Sequence, residues 1–280
     1  MALSSLRKLG GVAMISGAGS GMGRACAINF ARAGCKLVLT DVNEKGIDAT
    51  ISATGLDSAN VLKAVFDLRQ DGALEELVAS IPKRFGRLDY AINAAGICGR
   101  FNPLVDEPIE HIDDVLDINL RAQIVANRAQ VQAMLLPKEQ LSARVYEAPD
   151  MGENEKSRRI NKAKNFKGSI VNFSSVTGLK SFDGIVGSYT VSKHGMIGLT
   201  RAMATQYGPA GIRTNAVCPG FISTPLLWND LPGVEEHVST VPAGRFGDVE
   251  DVADVVSFLC SEEAAYVNGT TLTVDGALTT

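Results

Sequence analysis

Short apolar runs alternate with helix-period segments along nearly the whole chain, and this alternation limits the fold more than any other feature. Residues 11–16, 36–40, 61–66, 88–93, 169–174, 213–218 and 270–274 each read as a strand. Between them, 24–33 (closed by Gly34), 70–85, about 106–136, 189–207 and 248–261 carry helical periodicity. Strands spaced by helices build βαβ units, and a βαβ unit needs parallel strands. Right-handed crossovers then place helices on both faces of one sheet. The expected fold class is α/β, a doubly wound parallel sheet of about seven strands, with 1–280 forming a single domain. A chain of 280 residues can bury one substantial core of this kind.

Other classes are set aside by composition. With 45% hydrophobic and 21% charged residues, the chain is ordinary globular material. A formal charge of −4 gives no electrostatic reason to expect nucleic acid as a partner. Cys26, Cys35, Cys98, Cys218 and Cys260 are odd in number and lack CxxC spacing, so they read as reduced, mostly buried thiols of a cytoplasmic protein. His111, His194 and His237 are too dispersed to suggest a metal. No stretch approaches the roughly 18 apolar residues of a membrane helix, and the first ten residues lack the apolar core of a signal peptide. A polar stretch at 137–167, basic in its second half, reads as a solvated surface insertion; a substrate lid or subunit contact is the other use for it.

Three local patterns carry chemistry. Ser16-Gly17-Ala18-Gly19-Ser20-Gly21-Met22-Gly23 lies between a strand and a helix. Gly17, Gly21 and Gly23 permit a tight turn and close backbone approach, and the helix start offers unpaired N–H groups to a pyrophosphate. Asp41 ends the second strand, 18 residues beyond Gly23. A carboxylate there accepts from adenosine ribose hydroxyls and repels a 2′-phosphate. With Val42 next to it and only Arg24 nearby as a base, NAD is favoured over NADP. Tyr189 and Lys193 stand at i and i+4 on one helix face. An ammonium near a phenol, aided by oxidised nicotinamide, favours the phenolate and lets the pair move a proton.

Gly17-xxx-Gly21-x-Gly23, Asn93-Ala94-Ala95-Gly96, Ser175, Tyr189-xxx-Lys193, Pro219-Gly220-Phe221-Ile222-Ser223-Thr224 and Val274-Asp275-Gly276 occur in this order. Together they resemble the short-chain dehydrogenase/reductase family over nearly the whole chain. The resemblance implies a Rossmann-type domain and hydride transfer between NAD and a secondary alcohol or ketone. It further implies Tyr189 as general acid/base, Lys193 on the nicotinamide ribose, Ser175 on the substrate oxygen, and Asn119 holding a water in the proton relay. Gly17, Ser20, Gly21, Met22, Gly23, Asp41, Val42, Asp67, Leu68, Asn93, Ala94, Gly96, Pro219, Gly220, Ile222 and Thr224, with Tyr189 and Lys193, are implied along the cofactor. Ser175 precedes Tyr189 by 14 residues, one more than the family's commonest spacing, so Ser174 competes for its role. A substrate loop at about 224–245 includes Leu226, Leu227 and Trp228, an apolar wall that points to a medium-sized hydrophobic substrate such as a terpenoid, steroid or polyketide. A homotetramer (or homodimer) is implied too, and the general texture resembles secondary-metabolism members. The rival readings are an NADP-dependent carbonyl reductase and a non-catalytic dinucleotide-binding scaffold.

Overall fold

In the computed structural model, which describes residues 9–98, 103–137, 166–182, 187–230 and 233–280, the first strand, β1 (Val12–Ser16), is buried at every position. That is the signature of a strand covered on both faces. It pairs in parallel with β2 (Lys36–Asp41) on one side and β4 (Tyr90–Asn93) on the other. With β3 (Val61–Val65), β5 (Gly168–Phe173), β6 (Ile212–Pro219) and β7 (Thr271–Val274), the sheet runs β3-β2-β1-β4-β5-β6-β7, parallel throughout. The strand order reverses between β1 and β4, and such a switch point opens a crevice at the carboxyl ends of the strands.

Period-two alternation divides the core into two layers. Ala13 and Ile15 of β1, with Leu37 and Leu39 of β2, meet Phe30 of helix α1 (Gly21–Arg32) and Ile47 of α2 (Glu44–Thr54). Val12, Met14 and Val38 face the other way, onto Leu74, Val78 and Ile81 of α3 (Ala73–Phe85). The chain continues through α4 (Ile109–Leu116), α5 (Ala122–Leu135), α6 (Gly187–Tyr207), α7 (Pro225–Asp230) and α8 (Val249–Cys260). Met134 of α5 and Met203 of α6 join the second layer, and Val252 and Leu259 of α8 the first.

The structure departs from the sequence reading in three places, one of them α7, which lies inside the expected substrate loop at about 224–245. Helix α2 was not expected, although its ends are marked: the Asn43 side chain accepts from Gly46 N at 3.0 Å, and Gly55 closes the helix at φ 68°. The helical stretch expected over about 106–136 runs unbroken from Ile109 to Leu135, but a π-helical turn (Asp117–Arg121) separates α4 from α5 and a short 3₁₀ turn (Leu104–Asp106) precedes it. One extra residue in a turn widens the helix and re-aims what it carries, and such turns gather at functional sites. Of the polar stretch at 137–167, residues 138–165 lie outside the described residues. No helix among those described is long and apolar enough to cross a membrane.

Candidate active site

The glycine-rich turn joins β1 to α1 at the crevice, with Gly17 at φ +70° and Gly21 at φ +50°. A Cβ on Gly17 would fall 2.8 Å from the backbone of Ala95, and one on Gly23 would fall 2.1 Å from the Gly17 carbonyl oxygen. The turn is therefore packed against both the loop after β4 and its own return. Ser20, at the N-cap of α1, makes no side-chain cap bond, and no acidic residue stands in the first turn. The positive end of the helix is thus left for an anion. Asp41 closes the other side, accepting from Gly19 N and Asn43 N, both at 2.9 Å. Arg24 is turned away, its guanidinium bonded to Thr50 Oγ1 at 3.0 Å and to the Gly19 carbonyl. Thr224 brings the loop after β6 over the same turn: a Cβ on Gly21 would meet its Cγ2 at 3.3 Å. A turn of this shape, with a bare helix N-terminus and a carboxylate at the end of the neighbouring strand, fits a nicotinamide dinucleotide.

The second cluster lies where β4, β5 and α6 meet. Lys193 is 6% exposed, and its Nζ donates to the Phe173 carbonyl at 3.2 Å and sits 5.4 Å from the centre of the Tyr189 ring. Ser175, whose hydroxyl oxygen accepts from Thr177 N at 3.2 Å, lies close enough to the Tyr189 phenol to lower its pKa. Ser174, by contrast, donates to the Lys193 carbonyl at 2.8 Å and packs beneath Gly178. Of the two serines, Ser175 is the one beside the phenol. Asn119, in the π turn, accepts from Ile97 N and donates to Ile97 O, each at 2.8 Å, and reaches Ser192 Oγ on α6 at 3.5 Å. A Cβ on Gly96 would stand 3.0 Å from Asn119 Oδ1 and 3.5 Å from Lys193 Nζ, so both side chains converge over that glycine. Tyr189, Lys193, Ser175 and Asn119 are thereby brought into one neighbourhood.

Burial sets the protonation of this pair. It raises the Tyr189 phenol above its usual value near 10; the negative side of Cys98 adds to this, and nearby Ser175 opposes it. Burial also brings the Lys193 ammonium down from 10.5 to about 8, against a smaller opposite effect of Cys98 and Cys218. Before any dinucleotide charge is added, desolvation outweighs the attraction between ammonium and phenolate.

The remaining expected residues divide by how they are engaged. Met22 and Ala94 pack against the core beside the turn. Pro219 pairs with Val274 at the end of β6, Gly220 N donates to Val274 O, and Ile222 is buried. Asn93 is buried with its amide turned inward, donating to Gln130 and Asn172, so only its backbone is left for the crevice. The Asp67 carboxylate is held by Arg69 at 2.6 Å, which also bridges to Asp114, while Leu68 packs on the second core layer. Val42 is exposed. Leu226 and Trp228 are each close to half exposed on α7, and the Trp228 indole donates to Ser223 Oγ at 3.1 Å and meets Phe246 edge-on. The sequence reading passed over Gly19, whose N–H holds Asp41, and Ile97, whose backbone Asn119 clasps; neither backbone role leaves a mark in residue type.

Known proteins resemble this chain over nearly its whole length. Residues 11–145 match the family model described as short chain dehydrogenase, and 154–279 the model described as enoyl-(acyl carrier protein) reductase. Levodione reductase of Leifsonia aquatica is 35% identical over 276 residues, covering 95% of this chain and 92% of that protein. Cyclohexanol dehydrogenase of Acinetobacter sp. (strain SE19) is 35% identical over 274 residues, covering 96% and 94%. The crystal structure of levodione reductase aligns with a TM-score of 0.80 at 33% identity, covering 98% of this chain and 97% of that one. A protein from Agrobacterium tumefaciens solved with bound NADP aligns at 0.77 with 28% identity, covering 98% of each chain. The 3-ketoacyl-(acyl-carrier-protein) reductase from Brucella melitensis, complexed with NADH, aligns at 0.81 with 25% identity, covering 99% and 100%.

Proposed function

The chain belongs to the short-chain dehydrogenase/reductase family, and on that premise we propose that this oxidoreductase interconverts a secondary alcohol and a ketone with NAD. The observation that carries the reading is the convergence of Tyr189, Ser175, Lys193 and Asn119 beside a glycine turn made for a pyrophosphate. NAD supplies the hydride acceptor when bound. Gly17, Ser20, Gly21, Met22 and Gly23 would hold its phosphates, and Asp41 with Val42 its adenosine ribose. Asp67 and Leu68 would lie at the adenine. Asn93, Ala94, Gly96, Pro219, Gly220, Ile222 and Thr224 would line the nicotinamide half.

The chain's own residues manage the proton. Ser175 donates to the substrate oxygen and holds it beside Tyr189, which as phenolate takes the hydroxyl proton in oxidation and as phenol gives it back in reduction. Lys193, charged at neutral pH with a pKa of about 8, favours the phenolate as it forms. Asn119 pins the loop at Ile97 beside Lys193, and the family resemblance gives it the water of the proton relay. Orienting the partners supplies much of the rate, since effective molarities of held groups are large.

NAD preference rests on the Asp41 carboxylate at the ribose end and on Arg24, whose guanidinium is bonded to the turn rather than free for a 2′-phosphate. The substrate class is a medium-sized hydrophobic alcohol or ketone, terpenoid, steroid or polyketide-like. Exposed Leu226 and Trp228 support it, as does the name of one relative, cyclohexanol dehydrogenase. We read 1–280 as one cytoplasmic catalytic domain with a substrate loop at 224–245. A homotetramer is supported by exposed Ile124 and Leu135 on α5 and Val191 on α6.

The test is initial rates over a panel of cyclic and steroid alcohols with NAD and with NADP. NAD should win by at least about tenfold in kcat/KM, and Asp41→Ala should narrow the gap, because a carboxylate beside a phosphate costs about 1–4 kcal/mol in a partly solvated site. A clear NADP preference would defeat the reading of Asp41. NADH binding without turnover of any alcohol would favour the non-catalytic scaffold.

A further inference from the structure

The residue before Tyr189 is held by a carboxylate that the proposed chemistry does not use. Glu107 follows the 3₁₀ turn Leu104–Asp106, at the start of the stretch whose sequence reads as helical. In the fold its carboxyl group is wholly buried. Oε1 accepts from the Ser188 hydroxyl, Oε2 accepts from Ser188 N at 3.4 Å, and His111 Nδ1 lies 3.0 Å from Oε1. The neighbouring Gly187 rests on the same segment, since a Cβ there would come 2.9 Å from Leu104 Cδ1. The first turn of α6 is thus seated on residues 104–107, and its unpaired N–H end faces a carboxylate, the favourable sense for a helix N-terminus.

Serine, histidine and acid together are no hydrolytic triad here. The imidazole and the hydroxyl both bond the same carboxylate oxygen, so no base stands against Ser188 Oγ. What the arrangement can do is fix where α6 begins. A buried carboxylate is tolerated only when its oxygens are bonded, and these partners sit on α4 and α6. Tyr189 is the next residue, and Lys193 follows one turn later.

We propose that Glu107 is a positioning residue for the proton transfer: by holding Ser188 it fixes the first turn of α6 and so the aim of the Tyr189 phenol. The proposal rests on the reading of Tyr189 as proton carrier. Displacing a reacting group by about 1 Å can cost on the order of a hundredfold in rate.

The experiment compares Glu107→Leu, Glu107→Gln and Ser188→Ala in the full chain. Steady-state rates with cyclohexanol and NAD are measured beside hydrogen–deuterium exchange of peptides covering 187–193. Glu107→Leu should lower kcat by about 10- to 100-fold, with KM and NADH affinity within about threefold, and should speed exchange in the first turn of α6. Glu107→Gln should recover most of the rate, because an amide oxygen still accepts from Ser188. Ser188→Ala should cost less and add nothing to Glu107→Leu, as expected of two residues acting through one contact. An unchanged kcat with only a lower Tm would make Glu107 a structural cap and overturn the proposal, as would unchanged exchange over 187–193. Should Glu107→Leu not fold, wild-type kcat and exchange in Ser188→Ala overturn it equally. Tyr189→Phe separates the two readings. If it keeps turnover, the Tyr189 reading falls and takes the proposal with it. If it is inactive while Glu107→Leu and Ser188→Ala keep full kcat, only the positioning role fails.

Discussion

Lys193→Arg tests the proton chemistry most directly, because its outcome is the position of a titration rather than the size of a rate. Burial takes the Lys193 ammonium from 10.5 to about 8. A shift of that size is roughly 3 kcal/mol against the charged form. Tyr189 is displaced in the opposite sense, upward, by the same burial. As pH rises, the first proton lost by the pair therefore comes mainly from Lys193, and the pair titrates with an apparent pKa near 8. Ketone reduction consumes a proton held by this pair. Its kcat/KM should be level below that pH and fall about tenfold per unit above it, roughly a hundredfold by about pH 10. Alcohol oxidation needs the pair one proton poorer and should rise through the same range. NADH carries an uncharged nicotinamide ring, so its complex keeps the electrostatics of the pair. Arginine does not deprotonate in a protein. In Lys193→Arg the alkaline limb should move above about pH 10, even as the plateau drops through loss of the contact with the Phe173 carbonyl. The assay is kcat/KM for a reducible ketone at saturating NADH between about pH 6 and 10.5. A limb that stays near 8 in the arginine variant would refute the assignment to Lys193. A wild-type profile flat to about pH 10 would refute the claim that burial governs the pair.

Other predictions follow from single contacts. Gly23→Ala places a methyl 2.1 Å from the Gly17 carbonyl oxygen and 3.3 Å from Ala18 N, both backbone, so nothing can swing aside. It should destabilise the fold by about 3 kcal/mol and weaken NADH binding more than tenfold, read by thermal melting and fluorescence titration; wild-type affinity would show that the turn yields. Asn119→Ala strips both partners from the Ile97 backbone, worth about 2 kcal/mol if the two groups stay buried. Its Tm and kcat should fall together, and an unchanged Tm would mean that the loop at Ile97 is held by something else.

The layering of this protein is written locally in its sequence. Ala13, Ile15, Leu37 and Leu39 alternate with Val12, Met14 and Val38, and that period alone assigns each strand two buried faces and hence helices on both sides. Gly17 and Gly21 adopt positive φ, a need that residue type reveals. Helix α2 was legible only at its ends, Asn43 and Gly55, because its buried face is Gly46, Ile47 and Thr50, with one large apolar side chain to mark it. Other features could not be read in this way, because they depend on partners far along the chain. The π turn that aims Asn119 at Ile97 differs from α-helix by one residue in a turn, below what periodicity resolves. Ser174 and Ser175 are the same residue type, and only the approach of α6 gives Ser174 to the Lys193 carbonyl and leaves Ser175 on the side of the Tyr189 phenol. Arg24 reads as a base beside a phosphate site until Thr50 and the Gly19 carbonyl claim it. Glu107, between Asp106 and Pro108, has every mark of a surface acid, and becomes buried only because α4 and α6 close over it with Ser188 and His111 in place. Periodicity and turn chemistry act over a few residues and so survive in sequence. Pairing of buried polar groups acts across the fold, where partners 81 positions apart are set by packing alone.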